Sequence, residues 1–518
     1  MQPRFTSRPT RSSPTRWAAV VTAGMLAVAA CGGSDDGGGL GDTPITVVER
    51  PDTDDVFGWT EFGDERVQTG SLEVPVDASD PSKGTFDLYL ARHLADPDRR
   101  VGSLIVDPGG PGVAGADYAI YADQVFSDDL LAHFDIIGFD PRGVGLTVPA
   151  IDCVGDYDRY YAGVDITPDD DAERQQLVSL ADEFQQGCLD RSGDILPFVG
   201  TNDAAADIDR IRAALGEATI SYFGFSYGSE LGAVWATSFP GTVRAAVLDG
   251  AVDPTADDDE ATLQQMIGFE RSLEQFFAWC VDRDDCGFAA DADDAAGVAA
   301  AFDALMATLD ATPAPTTPGR PAADLGVANN AVSQALYASQ FWPDLAAALD
   351  DAAAGDGNGL LALHDGYFDR QPDGTWQNTL EAFQVISCID DPVRETADEA
   401  QAALDVLRAA APRMVPGTVA TPACAAFPVG PGRMAITGAG AGPIVVVGTT
   451  GDAATPLDGT RRMADTLEDG RLLVVDAEQH TGYGANDCVT AAVDALNDTH
   501  AVLLGAVLID GSRHGGNG

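Results

Sequence analysis

Six apolar runs constrain this chain more than any other feature: GSLIVD (102–107), FDIIGFD (134–140), TISYFGF (219–225), RAAVLDGA (244–251), PIVVVGT (443–449) and RLLVVDA (471–477). Each is continuous and rich in β-branched or aromatic residues. Such runs mark strands buried on both faces, and strands buried on both faces lie in a parallel sheet between two helical layers. Helical patterns separate most of them, so the predicted fold class is α/β, a doubly wound, mostly parallel sheet. Ahead of them, RVQTGSLEVPVD and GTFDLYLARHLA flank the turn Asp80-Pro81-Ser82-Lys83-Gly84 and predict a hairpin within 66–95. The strand rhythm breaks between 256 and 436, where segments such as TLQQMIGFERSLEQFFAWC and ADEAQAALDVLRAAA carry helical spacing. This stretch is expected to be a helical cap inserted into the sheet domain, with an exposed Pro-rich loop at 312–323.

The sheet domain is therefore expected in two parts, 59–255 and 437–510, around the cap at 256–436, with a flexible tail at 511–518. Residues 1–30 read as a signal peptide. Arg4, Arg8, Arg11 and Arg16 form a basic start, and the apolar stretch Trp17 to Ala30 is too short to span a bilayer. The run Leu26-Ala27-Val28-Ala29-Ala30-Cys31 resembles a bacterial lipobox, which implies lipidation of Cys31; a plain secretory signal with an A-x-A-like site is the alternative. Residues 31–58 would then be a flexible tether, Gly-rich over 32–43. An exported chain with eight cysteines is expected to form disulfides. If Cys31 carries lipid, seven remain: Cys153 with Cys188, Cys280 with Cys286 and Cys388 with Cys424 are plausible pairs by proximity, Cys488 is then the odd one, and the spacing leaves the connectivity open.

The formal net charge is −53 and Lys83 is the only lysine, which argues against nucleic-acid binding and against an electrostatic grip on anionic lipid. A membrane role is expected only through an anchor at Cys31. No C-x-x-C or paired-histidine pattern points to a metal, and no cofactor is expected.

Gly224-Phe225-Ser226-Tyr227-Gly228 is a G-x-S-x-G elbow between a strand-like and a helix-forming run. A serine hydroxyl is a weak nucleophile and needs a base within hydrogen-bond reach. On such a sheet the order is Ser, then an acid, then His, each at the carboxyl end of a strand. Asp452 follows PIVVVG in the loop TTGDAATP, and His480 follows RLLVVDAEQ. His93, His133 and His364 precede Asp452 and break the order; His500 falls in an expected helix and His514 in the tail. Asp458 and Asp476 are rivals to Asp452, the first at an expected helix start and the second within a strand. The predicted catalytic set is Ser226 as nucleophile, His480 as base and then acid, and Asp452 holding the imidazole. The oxyanion needs backbone N–H donors: Tyr227 is one, and the loop Asp107-Pro108-Gly109-Gly110-Pro111-Gly112 offers Gly109 or, preferred, Gly110.

GGPG, GFDPRGVG (138–145), GFSYG, GTTGDAATP and the late histidine occur in an order that resembles the proline iminopeptidase and tripeptidyl aminopeptidase family of α/β-hydrolases, closest to its secreted or lipid-anchored actinobacterial members. The resemblance covers roughly 60–500. It implies an α/β-hydrolase fold and an exported enzyme that cleaves short N-terminal units, aminoacyl to tripeptidyl, from peptide substrates. Some relatives of this architecture are similar to carboxylesterases instead. The resemblance also implies a structural D-x-R-G turn at Asp140-Pro141-Arg142-Gly143, with Arg142 on a carboxylate or carbonyl. It offers Asp390 and Asp391 as cap carboxylates for the substrate amino group; a solvated turn or helix cap is the other reading of that pair. Thr147 stands where the family usually has serine. The C-terminal segment lacks the cysteine that relatives often carry, which leaves Cys488 without an evident partner.

Overall fold

The computed structural model describes residues 46–283 and 286–499, together with two short strands, Ala27–Val28 and Val507–Asp510. Cys31, most of the expected signal segment and the tail 511–518 lie outside the described residues. The strands that carry the fold are β1 (Thr60–Phe62), β2 (Asp64–Pro75), β3 (Thr85–His93), β4 (Gly102–Asp107), β5 (Phe134–Phe139), β6 (Ile220–Phe225), β7 (Val243–Asp249), β8 (Ile444–Thr449) and β9 (Gly470–Asp476). Their order across the sheet is β9-β8-β7-β6-β4-β5-β3-β2-β1. From β5 to β9 every pairing is parallel; β1, β2 and β3 join antiparallel. The six apolar runs are thus the parallel strands, and β2–β3 is the expected hairpin.

Side chains alternate across the sheet and feed a core on each face. Ile105, Ile137, Tyr222 and Val446 point to one side, against Ile208, Ile211 and Trp235. Leu104, Val106, Phe223, Val447 and Val475 point to the other, against Leu130 and Val489. A one-residue slip of any of these strands would exchange its side chains between the two cores.

Between β7 and β8 the regular elements of the described residues are helices, among them α1 (Asp258–Val281), α2 (Ala295–Ala311), α3 (Leu325–Ala335), α4 (Trp342–Ala353), α5 (Thr379–Asp390) and α6 (Ala397–Ala410). α1, α2, α3 and α4 pack around a cluster that includes Phe276, Phe277, Phe302, Val327 and Leu349, whereas Ala382, Val385 and Ile389 of α5 join the core on one face of the sheet. The cysteines pair as Cys153–Cys188, Cys280–Cys286 and Cys388–Cys424. Cys488 is also disulfide-bonded, so it is not the free thiol that the count of cysteines implied. The segment read as tether is packed at its far end: Phe57 is buried, and Arg50 holds Asp135 at 2.7 and 2.6 Å. A buried aromatic and a bidentate ion pair explain why this stretch is ordered despite its polar composition.

The D-x-R-G turn is structural. Arg142 and Asp207, both buried, form two hydrogen bonds of 2.7 and 2.8 Å, and Arg142 also donates to the Phe198 carbonyl at 2.9 Å. Thr147 fits its place because its hydroxyl donates to the Asp140 carbonyl at 2.6 Å and accepts from Tyr89 N at 3.0 Å.

Candidate active site

Ser226 lies between buried β6 and the helix Tyr227–Ser238, with φ +56° and ψ −125°. A non-glycine residue held there costs about 1–3 kcal/mol, so its surroundings must enforce it. Ser226 N donates to the Asp249 carbonyl at 2.8 Å. A Cβ on Gly224 would strike the Gly228 carbonyl oxygen, and one on Gly228 would stand 2.6 Å from the Asp107 carbonyl oxygen. The two glycines of the motif are therefore required by backbone contact on both sides of the serine.

The loop after β4 lies directly against this elbow. A Cβ on Gly109, whose φ is +97°, would meet Phe225 O at 2.5 Å and Tyr227 N at 3.0 Å. Gly109 N is committed to Asp107 Oδ1 at 2.9 Å. Gly110, with φ +106°, lines the same cleft as Ser226 and Tyr227. Of the two glycines, Gly110 is the one that lines the cleft. Asp107 is buried, and burial pushes its carboxyl up to about 7 against the Gly109 hydrogen bond.

Asp452 and His480 come together from the loops after β8 and β9. Nδ1 of His480 lies 2.9 and 3.0 Å from the two Asp452 oxygens. Asp452 is fully buried and accepts Ala454 N at 3.0 Å, Thr455 N at 2.8 Å and Thr455 Oγ1 at 3.1 Å. Burial pulls the His480 pKa down, but the charge and hydrogen bond of Asp452 outweigh it and leave the group raised. His480 Nε2 is buried and has no partner among the described residues. The rivals sit elsewhere: Asp458 opens the helix Leu457–Thr466, and Asp476 is exposed and accepts Thr450 Oγ1 at 2.7 Å.

The helical insertion grips the same loops. Tyr337 O accepts His480 N at 2.6 Å, and its ring stands edge-on to the imidazole at 5.6 Å. From α1, Gln265 donates to Ala454 O at 3.0 Å and Arg271 to Asp452 O at 3.2 Å. Ala453 and Ala454 belong to the apolar cluster of the insertion.

Above Ser226 opens a cleft of about 490 Å³. Among the described residues seven carboxylates line it, including Glu230, Asp258 and Asp391, and Arg433 is the one lining cation. Arg433 bridges Glu230 at 3.1 Å and Asp258 at 2.7 Å. Burial pushes Glu230 up to about 7, and burial with the neighbouring Asp391 pushes Asp258 up to about 6. The two cap acids expected from sequence part company. Asp391 lines this cleft, whereas Asp390 is turned into the protein and accepts Thr201 N at 2.9 Å and Thr201 Oγ1 at 2.5 Å. Asp390 thus takes up the first N–H of the helix Thr201–Ala214, a helix-capping place rather than a cleft place.

Sequence reasoning missed Glu230, Asp258, Thr455, Tyr337 and Asp249. Glu230 had a legible signal, an acid one turn above Ser226 on an otherwise apolar helix. Thr455 had another, a hydroxyl three residues after the acid. Tyr337 and Asp258 had none, since their placement depends on how the insertion folds.

The chain belongs to the α/β-hydrolase family: residues 102–487 match the family's model, described as alpha/beta hydrolase fold. It is a serine hydrolase of that family. It is 34% identical over 446 residues to serine protease Hip1 of Mycobacterium tuberculosis, covering 82% of this chain and 84% of that one. It is 33% identical over 489 residues to carboxylesterase B of Mycobacterium tuberculosis, covering 90% and 92%. It is 31% identical over 449 residues to tripeptidyl aminopeptidase of Streptomyces lividans, covering 83% and 81%. The resemblance drawn from the motifs holds at this level.

Proposed function

We propose that the chain is an exported serine exopeptidase that releases short N-terminal units from peptides. Ser226 Oγ attacks the scissile carbonyl while His480 Nε2 takes its proton. Asp452 holds Nδ1 and stabilises the imidazolium. Tyr227 N–H and Gly110 N–H receive the developing oxyanion. The imidazolium protonates the leaving amine, and water then releases the acyl group from Ser226 by the reverse proton path.

The observation that carries the peptidase reading is the carboxylate group of Glu230, Asp258 and Asp391 over the serine cleft. One arginine does not neutralise three acids, so the cleft has charge left for an ammonium. A simple ester has no group to meet it. Similarity to carboxylesterase B supports a second reading, ester hydrolysis by the same nucleophile. Export is supported by the disulfides and the basic–apolar N-terminus, and the lipobox-like sequence supports an anchor at Cys31; mass spectrometry of the mature N-terminus tests this.

Hydrolysis of aminoacyl and tripeptidyl amides, with free and with blocked N-termini, beside short aryl esters tests the function. Faster cleavage of free N-termini is expected. Cleavage of esters alone would exclude the peptidase reading.

A further inference from the structure

Asp249 ends β7, beside the elbow strand, and lies outside the Ser226–His480–Asp452 set. It nevertheless touches both loops that must meet. Its carbonyl accepts Ser226 N at 2.8 Å. Its carboxylate oxygens accept Gly482 N and Tyr483 N, each at 2.7 Å. These are the second and third residues after His480. The next residue, Gly250, forms the floor under the imidazole: a Cβ there would stand 2.9 Å from His480 Cε1.

Between the histidine and the two clamped N–H groups sits Thr481, with φ +68°. A β-branched residue in the left-handed region is strained, by about 1–3 kcal/mol. Thr481 N itself donates to Asp452 Oδ2 at 3.3 Å, and its neighbours are tied down on both sides. His480 N is tied to Tyr337 O on one side, and Gly482 and Tyr483 are tied to Asp249 on the other. Asp249 is fully buried, a costly place for a carboxylate, and two short charge-assisted bonds to backbone N–H groups are what offset that cost.

We propose that Asp249 is a positioning residue that sets the Ser226–His480 separation by fastening the nucleophile elbow and the strained histidine loop to one buried side chain. The proposal rests on the Ser226–His480 mechanism above. Asparagine at this place keeps one acceptor and turns an NH₂ toward the second backbone N–H. One bond is lost, Thr481 relaxes, and the imidazole moves.

The test is Asp249→Asn, with Asp249→Ser as a smaller partner that leaves room for water. Active sites are counted by end-point labelling with a fluorophosphonate, and kcat per labelled site and KM are measured on an aryl ester. The expected result is full labelling, an unchanged KM and kcat per site lower by about 10- to 100-fold, the scale of an ångström-sized misplacement. An unchanged kcat per site, with or without fewer labelled sites, overturns the proposal. So does failure of both variants to give any labelled protein, which would make Asp249 a folding residue. Ser226→Ala runs in parallel: activity surviving there overturns the mechanism itself, whereas an inactive Ser226→Ala beside a fully active Asp249→Asn overturns the positioning role alone.

Discussion

Nδ1 of His480 is almost equidistant from the two oxygens of Asp452, at 2.9 and 3.0 Å. Four other groups, Ala454 N, Thr455 N, Thr455 Oγ1 and Thr481 N, donate to the same carboxylate, so it is held as a fixed acceptor rather than a mobile counter-charge. Asp452→Asn is expected to present the wrong partner to Nδ1 and to lower kcat about 10⁴-fold with little change in KM. Steady-state kinetics on an aryl ester, beside Ser226→Ala, check this.

The raised pKa of His480 has a definite sign for activity. The base must be neutral, so kcat/KM is expected to fall as pH drops through the His480 value, which lies above the ordinary histidine range. Because Asp452 is what raises it, Asp452→Asn should move the acid limb of the residual activity to lower pH. A pH–rate profile of both proteins checks the direction. A limb that stays in place would mean that the carboxylate does not set it.

The carboxylates over the cleft predict a different pH dependence, visible in KM. Asp258 and Glu230 ionise near about 6 and about 7. For a substrate with a free amino terminus, KM should fall as pH rises through that range, and rise again as the α-amino group deprotonates near about 8. N-blocked substrates and esters should show neither change.

Glu230→Gln should raise KM for free N-termini by about 10- to 100-fold, the worth of one hydrogen bond to a charged group. The same variant should leave N-blocked substrates within a small factor. An equal effect on both would remove the amino-group role from this residue.

Asp207→Ala leaves Arg142 buried without its partner. A cost of about 3–5 kcal/mol is expected, measured by denaturant unfolding. Arg142→Lys should also destabilise, since an ammonium cannot replace the two parallel bonds to Asp207.

Much of the sheet was legible because its strands are buried on both faces. Sequences such as PIVVVGT and GSLIVD have no other stable reading, and the loops that follow such strands locate Asp452 and His480. The three close cysteine pairs were legible for a related reason, their spacing along the chain. What the residues alone leave open falls where tertiary contact decides. Asp390 and Asp391 are neighbours at the end of α5, and nothing local says that the first turns to Thr201 and the second to the cleft. Asp249 reads as the last residue of a strand until the loop after β9 is seen resting on it. The tether appeared polar and free up to residue 58, yet Phe57 and Arg50 both find partners far along the chain.

The grip of the insertion on the loops of Asp452 and His480 bears on how specificity can change. Tyr337 holds the backbone of the base, and Gln265 and Arg271 hold the backbone around the acid. α1, which lines the cleft through Asp258 and Gln265, therefore also holds the loop of Asp452. Grafting the insertion wholesale from a relative would carry off part of the catalytic scaffold with it. New selectivity is more simply reached by single replacements facing the cleft, on an insertion that keeps Tyr337, Gln265 and Arg271 against the loops of Asp452 and His480.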